Sequence, residues 1–259
     1  MSYLLWIRRP WVCIGVLSLL LSATILSAGD EATLLLGFRM GKESKSIPDG
    51  WEHLTYPGTA ENTMSLVREE GMTVLHVASL NSASALLKRM NFGDDRRICL
   101  ESHPVLVWRW KINRTVGMAI EGRKDRNDSA ARVRIIFAER GMPSLKKSPD
   151  VEKFMKYLGI TMPTIEPSGF KIDYIWGTRA PKGEIIDYPG SKNHKMIVVE
   201  SGNCRTNQWI WEQRDLIKDF QVIFRCDPPG LAGIIVLTDT DQTNEGVEAY
   251  YGSIVLMHR

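Results

Sequence analysis

GIIVLTDTDQTNEGVEAYYGSIVLM, from Gly233 to Met257, places a knot of acids and hydroxyls between two apolar runs. Ile234 to Leu237 are apolar without a break, which predicts a strand covered on both faces. Asp239 to Gly246 contain no apolar residue and end in glycine, so the chain turns there. Glu248 to Leu256 are expected to return antiparallel, with Tyr250 or Tyr251 packed beside the turn. Two strands joined by a short polar turn point to an antiparallel β fold rather than to βαβ units.

The rest of the chain repeats this pattern. VLVWRWKI (105–112) alternates, with Leu106, Trp108, Trp110 and Ile112 on one face and Val107, Arg109 and Lys111 on the other. ARVRIIF (131–137) sets Ala131, Val133, Ile135 and Phe137 against Arg132, Arg134 and Ile136. GFKIDYIWGT (169–178) places Phe170, Ile172, Tyr174 and Trp176 together, and KMIVVES (195–201) reads as a central strand. MSLVREE (64–70) and TVLHVAS (73–79) form a hairpin through Gly71-Met72. Two helices are predicted. One is SPDVEKFMKYLG (148–159), with a Ser cap and an early Pro; the other is NQWIWEQRDLIKDFQVIF (207–224), with Trp209, Gln213, Leu216 and Phe220 near one stripe. The expected architecture is an antiparallel, jelly-roll-like β-sandwich with two peripheral helices, built from residues 30–259 as one domain.

The N-terminus has the order of an export signal. Arg8 and Arg9 precede an uncharged apolar run, Trp11 to Leu26, followed by small residues. Cleavage is expected after Gly29, which places the rest of the chain in the periplasm of a Gram-negative-type bacterium. The run is also nearly long enough to remain as an uncleaved anchor, the one membrane contact expected. Without these two arginines the chain is within one charge of neutrality, which gives no electrostatic reason to expect a nucleic-acid partner. Three cysteines follow Gly29: Cys99, Cys204 and Cys226. They include no C-x-x-C pair and no neighbouring histidine cluster, so zinc is not expected. Cys204 and Cys226 bracket the second predicted helix and are the candidate disulfide.

Chemistry-bearing residues are dispersed. No G-x-S-x-G, H-E-x-x-H, P-loop or G-x-G-x-x-G occurs, and no catalytic residue is assigned. Asp239, Asp241 and Glu245 offer hard oxygen ligands for calcium, the one cofactor considered. The alternative for the same loop is a corner whose Thr and Asp side chains satisfy backbone groups. Arg109, Lys111 and Arg132 lie opposite the apolar faces of their strands and are read as a basic floor for an anionic glycan or phosphate, or as a solvated face. Trp108, Trp110, Tyr174, Trp176, Trp209, Trp211, Tyr250 and Tyr251 are candidates for stacking on sugar rings. Glu200, at the end of its strand, and Asp239 and Asp241 complete the candidate ligand set. Trp108 and Trp110, in phase with Leu106 and Ile112, are assigned to the core.

Several long motifs occur in order: GWEHL (50–54), VLVWRWKI (105–112), NDSAARVRIIF (127–137), YIWGTRAPKG (174–183), MIVVESG (196–202), RDLIKDF (214–220) and PPGLAGIIVLTDTDQTNEGVEAYYGSI (228–254). Together they resemble the exported bacterial family DUF3047, whose function is unknown, so the resemblance supplies no catalytic residues. The family pattern TDTDNTGE is met by TDTDQTNE, with Asn244 in place of a glycine and Ser253 in place of an acid further on. The closing pattern also looks like jelly-roll carbohydrate-binding modules. The function expected is a non-catalytic binding module for a saccharide or other polar envelope ligand. The alternatives are a glycan hydrolase using Asp239, Asp241 or Glu200, and an accessory module that binds envelope proteins.

Overall fold

The stretches of period two become strands at nearly the expected residues. The computed structural model describes residues 34–38, 47–90, 100–138 and 166–259. Residues 1–29, the predicted helix 148–159 and Cys99 lie outside that set. The strands are β1 Leu34–Leu36, β2 Glu52–Thr55, β3 Thr63–Glu69, β4 Met72–Leu80, β5 Ala83–Arg89, β6 Val105–Ile112 and β7 Ser129–Phe137. They continue as β8 Phe170–Gly177, β9 Ile185–Asp187, β10 His194–Ser201, β11 Ile210–Asp215, β12 Leu231–Asp239, β13 Gly246–Tyr251 and β14 Ile254–Met257. One helix, α1 Leu216–Phe224, stands among the described residues.

Two seven-stranded sheets face each other. The first runs β1-β14-β6-β13-β4-β3, with β11 also paired to β6; the second runs β2-β5-β12-β7-β8-β10-β9. The protein is a β-sandwich. Between the sheets lie Trp108, Trp110, Tyr174, Trp176, Phe137, Phe220 and Tyr251, all essentially inaccessible to solvent. Aromatic rings of this size dominate core energetics, and truncating one to Ala costs roughly 3–5 kcal/mol. The β3–β4 turn is Glu70-Gly71, both at positive φ (50° and 77°), as a two-residue hairpin of primed type requires.

Three expectations need correction. Residues 207–224 are not one helix. The alternation Ile210-Trp211-Glu212-Gln213 forms β11 on the edge of β6, and the helix starts only after Asp215, whose carboxylate caps it by accepting from Lys218 N at 3.1 Å. The sandwich is also not wholly antiparallel, since β10 runs parallel to β8. The connection after β8 passes over one strand position to lay down β9, and β10 then fills the gap, antiparallel to β9. Glu121 holds that connection by accepting from the backbone N–H groups of Thr178, Arg179 and Ala180.

The third correction concerns the opening stretch. β12 is a fully buried central strand between β5 and β7, as expected. β13 does not pair with it, however. It lies in the other sheet between β4 and β6. TDTDQTNE is therefore an arch from one sheet to the other. It runs beside a second arch, Leu80 to Ala83, that carries the chain from β4 to β5. Ser79 Oγ lies 2.9 Å from Thr240 Oγ1, Thr240 N donates to Ser82 O at 2.9 Å, and Asn62 Nδ2 donates to Thr238 O at 2.7 Å. Buried hydroxyls and amides thus satisfy the backbone where both ladders end.

Candidate functional site

The loop 113–129 docks on the arch, and the acids of TDTDQTNE have separate structural partners. Asp239 accepts from Ser129 N at 2.6 Å, and its other oxygen is 3.6 Å from Arg132. Asp128 accepts from Thr243 N and Oγ1 at 2.8 and 2.6 Å. Glu245 accepts from Met118 N and Gly117 N and pairs with Arg114 at 2.8 Å. Asp241 is 3.4 Å from the Thr59 hydroxyl. Asn244, at φ 57°, supplies the left-handed turn. Asp239, Asp241 and Glu245, the candidate calcium ligands, thus face different partners. Among the described residues no group of three or more His, Cys, Asp or Glu is placed to hold a metal ion.

The other candidates fall into three places. Tyr174 and Trp176 point between the sheets, fully buried, so neither is available to stack on a sugar. Their alternation with Phe170 and Ile172 is the signal that assigns Trp108 and Trp110 to the core, and it applies equally to them. Glu200 also faces inward, next to a bulge in β10, and is held by Arg205 at 2.8 Å and Lys182 at 3.7 Å. Beside it Glu212 is pushed up to about 7, chiefly by burial, with Lys182 opposing and Glu200 adding to the shift. Asp239 lies three strand positions from Glu200, about 14 Å, and on the opposite face of the sheet. The two do not form the facing pair that glycoside hydrolysis needs. Cys204 and Cys226 are separate, exposed thiols. A strand and a helix separate them, so the single-helix spacing behind the disulfide expectation does not apply.

Arg109 and Lys111 do not share a floor with Arg132. The first two lie on the outer face of the first sheet and Arg132 on the outer face of the second, because β6 and β7 each turn their apolar residues toward the common core. Around Arg109 and Lys111 the outer face of the first sheet carries a row of aromatic rings. Trp211, directly opposite Arg109 across the β11–β6 pair, is 63 % exposed. The Arg109 guanidinium lies 4.2 Å from the Trp209 ring and 5.7 Å from that of Trp211, and it is anchored by Glu70 at 3.0 Å. Being itself 5 % exposed, Arg109 seats the two indoles rather than reaching solvent. Its path depends on Gly252, where a Cβ would stand 2.6 Å from Arg109 Cγ.

The row continues across the sheet. Lys111 Nζ is 4.2 Å from the Tyr250 ring and 2.5 Å from Glu69 Oε2. Tyr250 stacks on His76 at 4.5 Å and 20°, and both touch Glu248 Oε2 at 3.2 Å. An open hollow of about 540 Å³ adjoins this row, lined by Glu61, Thr63, Ala78, Leu80, Asn113 and Glu248 among others. His76 and Glu248 are not among the sequence candidates, and Trp209 and Trp211, which are, reach this face only because β11 pairs with β6. The alternating signal at 210–215 was present in the sequence but hidden by a helical stripe that fits the same residues.

The family model described as "Protein of unknown function (DUF3047)" matches residues 49–255. The chain belongs to that family. No curated protein matches it significantly. Among solved structures, this DUF3047 protein is similar to a family 29 carbohydrate-binding module from Piromyces equi. The identity is 8 %, the match covers 89 % of this chain and 93 % of that one, and the TM-score is 0.35. It is also similar to the K3 cleaved adhesin domain of Lys-gingipain from Porphyromonas gingivalis (9 % identity, 87 % and 98 % covered, TM-score 0.36). A third is the winged bean acidic lectin complexed with methyl-α-D-galactose (11 % identity, 89 % and 100 % covered, TM-score 0.35).

Proposed function

We propose that this DUF3047 protein is a non-catalytic saccharide-binding module of the cell envelope, and that the outer face of the first sheet is its binding face. The observation that carries this reading is Trp211. Most of the large aromatic side chains are packed in the core, yet this indole stands on a regular strand with most of its surface in water. The Arg109 guanidinium lies 5.7 Å from its ring and 4.2 Å from that of Trp209. An exposed indole presents an apolar face at little entropic cost, which suits the C–H face of a sugar ring. Tyr250 and His76 extend the platform across neighbouring strands. Lys111, Glu248, Asn113 and Thr63 supply the donors and acceptors that ring hydroxyls need. Charged and hydroxyl-bearing groups alternate with the rings, so the face lacks the continuous apolar patch of a stable protein interface.

The test is a glycan array probed with the chain and with its Tyr250→Ala variant. The expected result is binding to a defined set of polysaccharides that weakens in the variant. An array with no binder overturns the proposal. So does a set of binders indifferent to Tyr250.

A further inference from the structure

The hollow beside the ring row has a chemistry of its own. On the outer face of the first sheet, Thr63, Ala78 and Glu248 stand side by side on β3, β4 and β13. Ala78, in the middle, carries only a methyl group, and the open hollow of about 540 Å³ is lined by all three. Glu61, Leu80 and Asn113 also line it. The neighbouring row is His76, Tyr250 and Lys111, paired across β4, β13 and β6. It lies two residues along the strands, about 7 Å away, so a ligand stacked on the rings reaches the hollow directly.

The charges on this face are not evenly matched. Arg109 is paired with Glu70, Lys111 with Glu69, and Arg114 with Glu245. Glu248 and Glu61 are left. Glu248 receives His76 and the Tyr250 hydroxyl on one oxygen, Oε2, both at 3.2 Å, and its Oε1 has no partner among the described residues. Glu61 stands 3.8 Å from His53, beyond hydrogen-bond reach. The two side chains are 47 % and 59 % exposed, so both are open to a ligand. Among the described residues no lysine or arginine lines the hollow. Exposed acids are ordinary on protein surfaces; these two share one hollow, next to a platform of rings. An ammonium group has three N–H donors and no acceptor, and it makes charge-assisted bonds to carboxylates. A uronate or a phosphorylated sugar would instead set like charge against Glu248.

We infer that the saccharide taken by this face carries a free amino group, whose ammonium enters the hollow and is bound by Glu61 and Glu248. The inference rests on the saccharide reading of the aromatic face and narrows it to cationic sugars. Calorimetric titration of the full chain with chitosan, chitin and cellulose oligosaccharides tests it, at mildly acidic pH where the sugar amine is protonated. The three share one backbone and differ only at C2, which bears an amine, an acetamide or a hydroxyl. The chitosan oligosaccharide is expected to bind about tenfold more tightly than the other two. Glu61→Gln and Glu248→Gln, at exposed positions where folding is retained, should each narrow that preference about threefold, and the double variant should abolish it. Chitosan binding no tighter than chitin or cellulose overturns the inference, as does a preference that survives the double variant. If none of the three binds while neutral or acidic glycans bind on the array, the inference falls and the saccharide reading stands. An array without any binder overturns both.

Discussion

Replacing Tyr251 with Phe isolates one hydroxyl that ties the two sheets together. The ring belongs to β13 of the first sheet and is 1 % exposed. Its hydroxyl donates to Leu237 O at 2.7 Å, accepts from Arg132 N at 3.3 Å and lies 2.9 Å from Thr238 Oγ1. Leu237 and Arg132 are opposed on β12 and β7, beside an irregularity in their register. The phenol thus stands in for a ladder bond just before the chain enters the arch. Phe fills the same space, so no cavity term arises. Thr238 Oγ1 keeps its bond to Ala130 O at 3.0 Å, which leaves Leu237 O and Arg132 N to lose their partner. Each buried orphan costs about 1–3 kcal/mol, and the longer Arg132 bond weighs less, so the variant should lose about 2–4 kcal/mol. For a domain of this size that is a fall of roughly 5–15 °C in melting temperature. Urea unfolding followed by circular dichroism measures it, with Tyr250→Phe as the control. That variant loses only a half-exposed bond to Glu248 and should change by less than about 0.5 kcal/mol. Equal effects in the two variants would refute the role assigned to Tyr251.

Three further outcomes are expected. Asp239 and Glu212 are both raised to about 7, chiefly by burial, so the folded chain holds protons there that the unfolded chain releases. Stability should therefore be greatest near pH 4–5 and decline as pH rises through about 7, by up to a few kcal/mol; Asp239→Asn should flatten part of that slope in pH-dependent urea melts, and an unchanged slope counts against the assignment. Gly252→Ala places a methyl against Arg109 and should unseat Trp209 and Trp211, seen as a shift in tryptophan emission with the fold retained; emission identical to the parent's would contradict the packing described. Because the three arch carboxylates diverge, chelation by EDTA should move the melting temperature by less than about 1 °C, whereas a calcium-linked protein would show a larger fall.

Strand positions were legible because core-facing residues alternate with period two, and Leu106 to Ile112 shows this without ambiguity. The sheet each strand joins was not legible. Asp239 to Gly246 has the composition of a hairpin turn, and nothing local distinguishes a hairpin from an arch between sheets. The segment 207–224 was misread because Trp209, Gln213, Leu216 and Phe220 fit a helical stripe while Ile210 to Asp215 fit a strand. Asp215, followed by the apolar pair Leu216-Ile217, was the cap signal that separates them. Arg109, Lys111 and Arg132 were recognised as facing away from the core. Which side of the sandwich each faces depends on the sheet it joins, so a single site drawn through all three could not survive. Tyr250 lies on the outer face of the first sheet, and His76, Trp209 and Trp211 come from two other segments that only the pairing of strands brings beside it.

The central claim is that the outer face of the first sheet binds saccharide through Trp211. Isothermal titration of a polysaccharide selected on the array, into the chain and into Trp211→Ala, tests it most directly. The indole is exposed and contributes little to folding, so the variant should melt within about 2 °C of the parent. Its affinity should fall by about tenfold or more, as expected when a central aromatic contact is removed. A Trp211→Ala variant that binds with the parent's affinity would contradict the account.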